Sequence, residues 1–298
     1  MGNTIYTATG CSRCKIAKKF MDEHVIPFEE LDIKAEGRDA FGQFYRSNRS
    51  CVFRGKEGIE FPIFTDGSVI RQGVGVVLAY LHAGTKLDGF IGRSELSHGW
   101  MDGIHVSGGD PSSADELITV LGYIKKNGLS LQLDTDGRNA SILEKLLEHK
   151  LGDSVVMDVK GPLTLYADIL DEKIAPEQIK GTIRMITKFP EYRFQTTVAP
   201  VVRQEEEREA IRYLTPKEIV ETAKLIREVT GSNKQPYFLR LFNPEHCPDV
   251  RLKAVEEMAA GTLFSYRSAA RKYQVLTEIE KSWEAGLGIF DRLATFGG

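Results

Sequence analysis

Cys11 and Cys14 are two thiols with only Ser12 and Arg13 between them. They follow an alternating apolar run, Thr4-Ile5-Tyr6-Thr7-Ala8, and open a helical pattern carried by Ile16, Ala17, Phe20 and Met21. A sulfur at a helix start faces unpaired N–H groups and the positive end of the macrodipole, which favour a thiolate. Arg13 and Lys15 add positive charge. The spacing therefore predicts Cys11 as a nucleophile and Cys14 as the thiol that resolves a mixed disulfide. Half of a zinc site, or two ordinary buried cysteines, would show the same spacing. Zinc needs a second ligand pair, and neither Cys51 nor Cys247 has one nearby in sequence.

Other residue types invite chemistry more weakly. Cys51 lies in the basic stretch Arg46 to Arg54. It could be a third redox thiol or a cluster ligand, but the expectation is a small buried apolar residue. The arginines around it read as an anionic docking patch or, more simply, as a solvated face. His246-Cys247 is the one tempting ligand pair, and it has no partners nearby, so no metal site is expected. The charge run from Arg203 to Arg212 reads as a solvated helix face.

The elements that must position these groups follow from composition and pattern. The chain has 298 residues, 42% hydrophobic and 27% charged, with a formal net charge of -3. That is a soluble globular composition, with length for one large or two ordinary domains. No basic surplus points to nucleic acid or an anionic membrane, and no apolar run approaches the ~20 residues of a membrane span. The N-terminus lacks the features of a signal peptide, and isolated cysteines suit a reducing compartment, so a cytoplasmic location is expected.

Up to about residue 84 the pattern predicts β, α, β, α, then a hairpin, then α. Pro62 directly precedes the short strand Ile63-Phe64, and a cis Phe61–Pro62 bond would account for it. Ala83-Gly84-Thr85-Lys86 marks a boundary. Beyond it, strands at Ile104–Ser107, Leu129–Asp134, Ser154–Lys160, Phe194–Val198 and Tyr237–Phe242 alternate with helices, which predicts a parallel sheet. Polar residues cluster just after these strands, where parallel α/β proteins place their sites. From Asp249 the pattern reads as amphipathic helix through Leu252, Val255, Met258, Leu276, Ile279, Trp283, Leu287 and Phe290, covering an open sheet edge or docking a partner. The expected division is 1–84, 85–248 and 249–298.

The βαβα-hairpin-α order, the CxxC turn and the proline before the third strand resemble glutaredoxin over roughly residues 3–83. That resemblance implies Cys11 and Cys14 as the catalytic dithiol and Pro62 as the substrate-loop proline. Ser12-Arg13 departs from the family's usual Pro-Tyr/Phe, and Val74, Gly75 and Val76 stand where an acidic residue would help hold glutathione. A protein thiol or disulfide client is the implied partner.

From about Leu87 to Pro248 the strand ends resemble the radical SAM superfamily, most of all the activating proteins of anaerobic ribonucleotide reductases. Ser107-Gly108-Gly109-Asp110-Pro111 resembles the Gly-Gly-Glu turn that receives the amino group of S-adenosylmethionine, with Asp for Glu. Thr135-Asp136-Gly137 resembles the Thr-Asn-Gly turn, and Asp158, Lys160 and Thr197 stand at matching strand ends. The resemblance implies a partial (β/α) barrel and S-adenosylmethionine at Ser107, Gly108, Gly109, Asp110, Thr135, Asp136, Asp158, Lys160 and Thr197. Asp110 and Asp136 also begin good helix-start sequences, and capping alone would explain them.

The family's CxxxCxxC cluster motif is absent, and residues 92–102 are too few for a strand plus cluster loop. The first barrel strand therefore reads as deleted, with no radical chemistry expected from this chain alone. The expected function is a thiol–disulfide oxidoreductase with a cluster-less radical SAM-like domain that binds a nucleotide-like ligand or a client protein, the latter from an anaerobic radical-enzyme system. Two other readings stand beside it. One is an iron–sulfur and S-adenosylmethionine-binding protein with Cys11, Cys14 and Cys51 as ligands. The other is a non-catalytic partner subunit of an activating enzyme.

Overall fold

The computed structural model describes residues 2–55, 58–96, 99–170, 172–205, 208–244, 247 and 249–280. The first elements are β1 (Asn3–Thr7), α1 (Ser12–Glu23), β2 (Phe28–Asp32), α2 (Arg38–Ser47), the two-residue strands β3 (Arg54–Gly55) and β4 (Gly58–Ile59), β5 (Ile63–Thr65), β6 (Ile70–Gln72) and α3 (Val74–Ala83). β7 (Trp100–His105), α4 (Ala114–Lys126), β8 (Ser130–Thr135), α5 (Ala140–Glu148), β9 (Ser154–Asp158), α6 (Tyr166–Leu170), α7 (Pro176–Ile186) and β10 (Glu191–Val198) come next. The chain continues through β11 (Pro200–Glu205), β12 (Arg208–Tyr213), α8 (Pro216–Thr230), β13 (Tyr237–Leu241), α9 (Val250–Lys253), α10 (Leu263–Ala270) and β14 (Glu278–Ile279). Chain contacts divide it into two compact units, residues 1–132 with 148–151, and residues 133–147 with 152–298.

A four-stranded sheet in the order β2-β1-β5-β6 forms the first part of unit one. β2 runs parallel to β1, and β5 is antiparallel to both β1 and β6. Alternation along β1 sends Ile5 to one face and Tyr6 to the other. Ile5 packs with Ala17, Met21, Phe64 and Val77, whereas Tyr6 packs with Val52 and Ile63. The helical stripe read from the sequence is the buried face of α1, with Cys14, Ile16, Ala17, Phe20 and Met21 inward. Full burial of residues such as Ile5 and Phe64 contributes roughly 1.5–3 kcal/mol each.

The other large sheet has six strands in the order β14-β13-β10-β9-β8-β7. The β9–β10, β10–β13 and β13–β14 pairs are parallel. This is the mixed α/β arrangement expected, consistent with a partial (β/α) barrel. Among the described residues no helix is long and apolar enough to cross a membrane.

Three segments depart from the pattern read in the sequence. β7 begins at Trp100 and ends at His105, so Ser107 lies past the strand. Residues 203–212 are not a helix face but the antiparallel hairpin of β11 and β12, with Val202 opposite Ile211. The β-branched Val201, Val202 and Ile211 at the flanks of the charge run favour strands. Arg203 is drawn out of the run by a bidentate contact with Glu218, at 2.6 and 3.0 Å, and Glu218 also closes the capping box of α8 with Thr215.

The segment from Asp249 is not one long helix either. It makes the short α9, then α10, and ends on β14, which pairs Phe238 with Glu278 and Leu239 with Ile279. The open edge of β13 presents unpaired backbone groups, and a strand satisfies them better than a helix can. Glu280 then ties to Arg193 at 3.1 Å and Arg240 at 2.7 Å. Trp283, Leu287 and Phe290 lie outside the described residues.

Candidate functional site

The dithiol stands where the sequence predicts, at the turn from β1 into α1. Cys11 is the N-cap residue of α1, in an extended conformation, and its Sγ accepts the Cys14 N–H at 3.1 Å. The two sulfurs are joined as a disulfide with their Cα atoms 5.3 Å apart. Cys14 is buried and Cys11 half-buried, so Cys11 is the sulfur that a partner can reach. The Phe61–Pro62 bond is cis, and the Phe61 carbonyl lies 3.9 Å from Cys11 Sγ. Pro62 itself is buried, and its carbonyl accepts the Gly73 N–H at 2.9 Å.

Arg13 does more than supply charge to the loop. Its guanidinium pairs with Glu60 at 2.8 Å and donates to Ser94 Oγ at 3.4 Å, to the Trp100 carbonyl at 2.7 Å and to the Leu96 carbonyl. The residue between the cysteines is thus anchored to the segment that leads into β7. Burial pushes the Glu60 carboxyl above its ordinary pKa, with Arg13 opposing that rise. Neither anchoring role was read from sequence; a carboxylate one residue before Phe61-Pro62 was the available signal.

Of the strand-end residues in unit one, Asp110 is exposed and caps the turn over Pro111–Ser113. Ser112 donates its N–H to Asp110 at 2.9 Å, and this bond holds the carboxyl below its ordinary pKa. Gly108 and Gly109 serve packing. A Cβ on Gly109 would lie 2.2 Å from the buried Phe90 ring, and a Cβ on Gly108 would lie 2.3 Å from the Gly89 carbonyl. Ser107 is half-buried beside them.

The strand ends of unit two carry the second candidate site. Thr135 Oγ1 accepts the Gly137 N–H at 3.1 Å, so the Thr-Asp-Gly turn is present. Asp136 is gripped by Arg138 through bonds of 3.0 and 2.7 Å. Asp158 pairs with Lys160 at 2.6 Å. Burial would lower the Lys160 pKa, but Asp158 and Asp136 outweigh it, and the ammonium is held above its ordinary value. Tyr166 Oη accepts the Lys160 N–H at 3.2 Å, and burial pushes that phenol far up.

Asp158 sits opposite Gln195 in the β9–β10 register, so both side chains point to one face of the sheet. Asp158 Oδ1 and Gln195 Oε1 are both buried and accept no hydrogen bond among the described residues. Buried acceptors left empty cost about 1–3 kcal/mol each, which is why such atoms mark places where a ligand or water supplies a donor. Thr197 is half-buried on the same face, two residues on. Thr196 faces the other way, where Tyr237 Oη donates to it at 2.8 Å and it donates to the Val159 carbonyl at 2.6 Å. Gln195 was not singled out in sequence, because only the register places it beside Asp158.

The iron–sulfur ligand set weighed above does not assemble. Cys11 and Cys14 are bonded to one another, and Cys51 is exposed rather than buried, among arginines. The turn at Asn48–Val52 turns Cys51 outward and Val52 into the core, because the Cys51 and Val52 N–H groups both reach back to the Asn48 carbonyl. Among the described residues no three His, Cys, Asp or Glu side chains form a metal-binding group. Cys247 is half-buried, and His246 lies outside the described residues. These donors do not fit a cluster.

No family model matches the chain. It is 28% identical over 180 residues to a protein of Methanocaldococcus jannaschii named "Putative glycyl-radical enzyme activating enzyme", a match that covers 58% of this chain and 68% of the other. A crystal structure of a domain of pyruvate-formate lyase-activating enzyme from Bacteroides vulgatus aligns over 59% of this chain and 98% of that one. The identity there is 16% and the TM-score 0.41, too loose a superposition to argue from. The similarity to the Methanocaldococcus protein supports a radical SAM-like domain in this chain.

Proposed function

We propose that this chain acts in a glycyl-radical enzyme system as an activating-enzyme-like protein. The strand ends of its parallel sheet bind S-adenosylmethionine or a ligand of that class, and its protein partner is the radical enzyme. The observation that carries the reading is the 180-residue similarity to an activating enzyme, at 28% identity. The empty acceptors Asp158 Oδ1 and Gln195 Oε1 support it from the site. They would receive ligand N–H groups, while Lys160 holds the other Asp158 oxygen at 2.6 Å and fixes the carboxylate in place. S-adenosylmethionine supplies a sulfonium centre when bound. Asp158 and Gln195 would orient it, and Tyr166 braces the Lys160 backbone next to Asp158 by accepting its N–H.

Calorimetric titration of the full chain with S-adenosylmethionine tests this. Saturable binding is expected, weakened about tenfold by Asp158→Asn, the equivalent of one charged hydrogen bond. Absence of binding to the wild-type chain overturns the reading.

A second reading is favoured by the dithiol geometry: residues 1–84 form a glutaredoxin-like thiol–disulfide oxidoreductase. Its support is the cap position of Cys11, whose Sγ takes a helix N–H, with the cis Pro62 loop alongside. Reduced Cys11 attacks a client disulfide, forming a mixed disulfide and releasing one client thiolate. Cys14 then attacks the Cys11 sulfur, closing the Cys11–Cys14 bond and releasing the second thiolate. Two electrons pass to the client. Reduction of a protein disulfide by the pre-reduced chain is expected to vanish in Cys11→Ser, while Cys14→Ser accumulates the mixed disulfide. Equal activity in Cys11→Ser ends this reading.

A further inference from the structure

Unit one has a cavity of about 630 Å³ that none of Cys11, Cys14 and Pro62 lines. Its wall includes Arg49, Arg54 and Arg93, together with Tyr45, Phe53 and Cys51. The Arg93 guanidinium lies 3.3 Å from the Phe53 ring centroid, and that of Arg49 lies 5.9 Å from the Tyr45 ring. No carboxylate lines the cavity among the described residues, and none of the three arginines makes an ion pair among them. Arg93 does act on Glu60 through space, but Glu60 is committed to Arg13 at 2.8 Å. Three arginines therefore line one cavity with no carboxylate paired to them among the described residues.

The wall is held in place before any ligand arrives. Gln72 is buried and clamps the Phe53 backbone from both sides, accepting its N–H at 2.9 Å and donating to its carbonyl at 2.9 Å. Cys51 and Val52 both donate to the Asn48 carbonyl at 3.0 Å, and the Asn48 amide donates to Phe44 at 2.8 Å. Val52 is buried beneath. Cys51, by contrast, is an exposed free thiol at the rim. Planar guanidinium forks suit carboxylate and phosphate oxygens, and flanking rings suit a flat apolar body.

We propose that this cavity binds a small anion through its carboxylate or phosphate group. Arg49, Arg54 and Arg93 hold the charge, and the occupant covers Cys51. The site does not depend on either functional reading above.

Thiol reactivity tests it in the full chain, with Cys11 and Cys14 left as their disulfide and Cys247→Ser introduced so that Cys51 alone reports. The probes are dithionitrobenzoate, a dianionic aromatic disulfide, and neutral dithiodipyridine. In each case the Cys51 thiolate attacks one sulfur, a mixed disulfide forms, and the aromatic thiolate leaves with the electron pair. Combined Arg49→Gln, Arg54→Gln and Arg93→Gln is expected to slow the dianionic probe about tenfold or more. The neutral probe should change by no more than about twofold, which also shows that the fold is intact.

Citrate and inorganic pyrophosphate are then tried as protectants of wild-type Cys51 against the neutral probe. Whichever protects more strongly names the carboxylate or the phosphate class, and protection should be lost in the triple variant. A probe ratio unmoved by the three substitutions overturns the site, and so does protection by neither anion.

Discussion

Arg13→Met should destabilise the protein in a pH-dependent way, because of what it leaves behind. The substitution keeps the length of the side chain and removes the guanidinium. It deprives Glu60 of its partner at 2.8 Å and withdraws donors from Ser94, Leu96 and Trp100. Both ends of the pair are mostly buried, with 16% and 19% of their side-chain surface exposed, so solvent compensates only in part. Charged hydrogen bonds contribute about 1.5–3 kcal/mol each, and residual exposure trims the sum to about 2–4 kcal/mol at neutral pH.

The pH dependence follows from Glu60. Burial already holds its folded pKa above the ordinary 4.5, with Arg13 opposing, so the variant pKa must rise further. A carboxyl with a raised folded pKa binds protons more tightly in the native state. Its stability contribution is therefore fully present below the unfolded pKa and lost as pH rises through the folded value. The Arg13→Met deficit should be smallest below the ordinary carboxyl pKa and grow as pH rises until the variant's raised folded pKa is passed. Glu60→Gln in the Arg13→Met background should flatten that dependence and restore about 1–2 kcal/mol.

Equilibrium urea unfolding followed by Trp100 fluorescence, in a Trp283→Phe background, reads both effects. A deficit below about 0.5 kcal/mol, or one of equal size at every pH, would refute the argument.

Two further substitutions probe packing. Thr196→Val should cost about 2–3 kcal/mol by leaving the fully buried Tyr237 hydroxyl without its acceptor. Adding Tyr237→Phe should recover at least half of that in denaturant unfolding, and an additive double variant would sink the account. Gly109→Ala should cost about 1–3 kcal/mol, because its Cβ would lie 2.2 Å from the Phe90 ring. Phe90→Leu in the same chain should relieve part of the loss, and a Gly109→Ala variant with an unchanged unfolding midpoint would show that the turn shifts freely.

The local signals in the sequence were the ones that survived into the structure. Cys11 ends an alternating run and opens a 3.6-residue stripe, so its place at a cap was legible from a dozen residues. Pro62 ahead of Ile63 announced an irregular bond, and the cis bond is there. The strand–helix alternation after residue 100 gave the parallel pairs.

What was illegible depended on partners far away in sequence. The Arg203–Arg212 charges suit a helix surface or a hairpin equally, and Glu218, with the pairing of Val202 to Ile211, decides between them. Ile279 fits a helical stripe by spacing, yet the free edge of β13 recruits it as a strand. Cys51 is apolar enough for a core, but Val52 takes the inward position and leaves it outside.

The acids at the strand ends are largely engaged within the protein itself. Asp110 spends its charge on the Ser112 N–H, Asp136 on both arms of Arg138, and one oxygen of Asp158 on Lys160. In unit two, then, the local charge is close to balanced before any ligand is considered. What is left is specific rather than electrostatic: one carboxylate oxygen and one amide oxygen, paired in register and both without a donor among the described residues. A ligand that binds there is selected by the direction of its N–H groups more than by its net charge. Its affinity should accordingly respond strongly to Asp158→Asn and Gln195→Leu and only weakly to ionic strength.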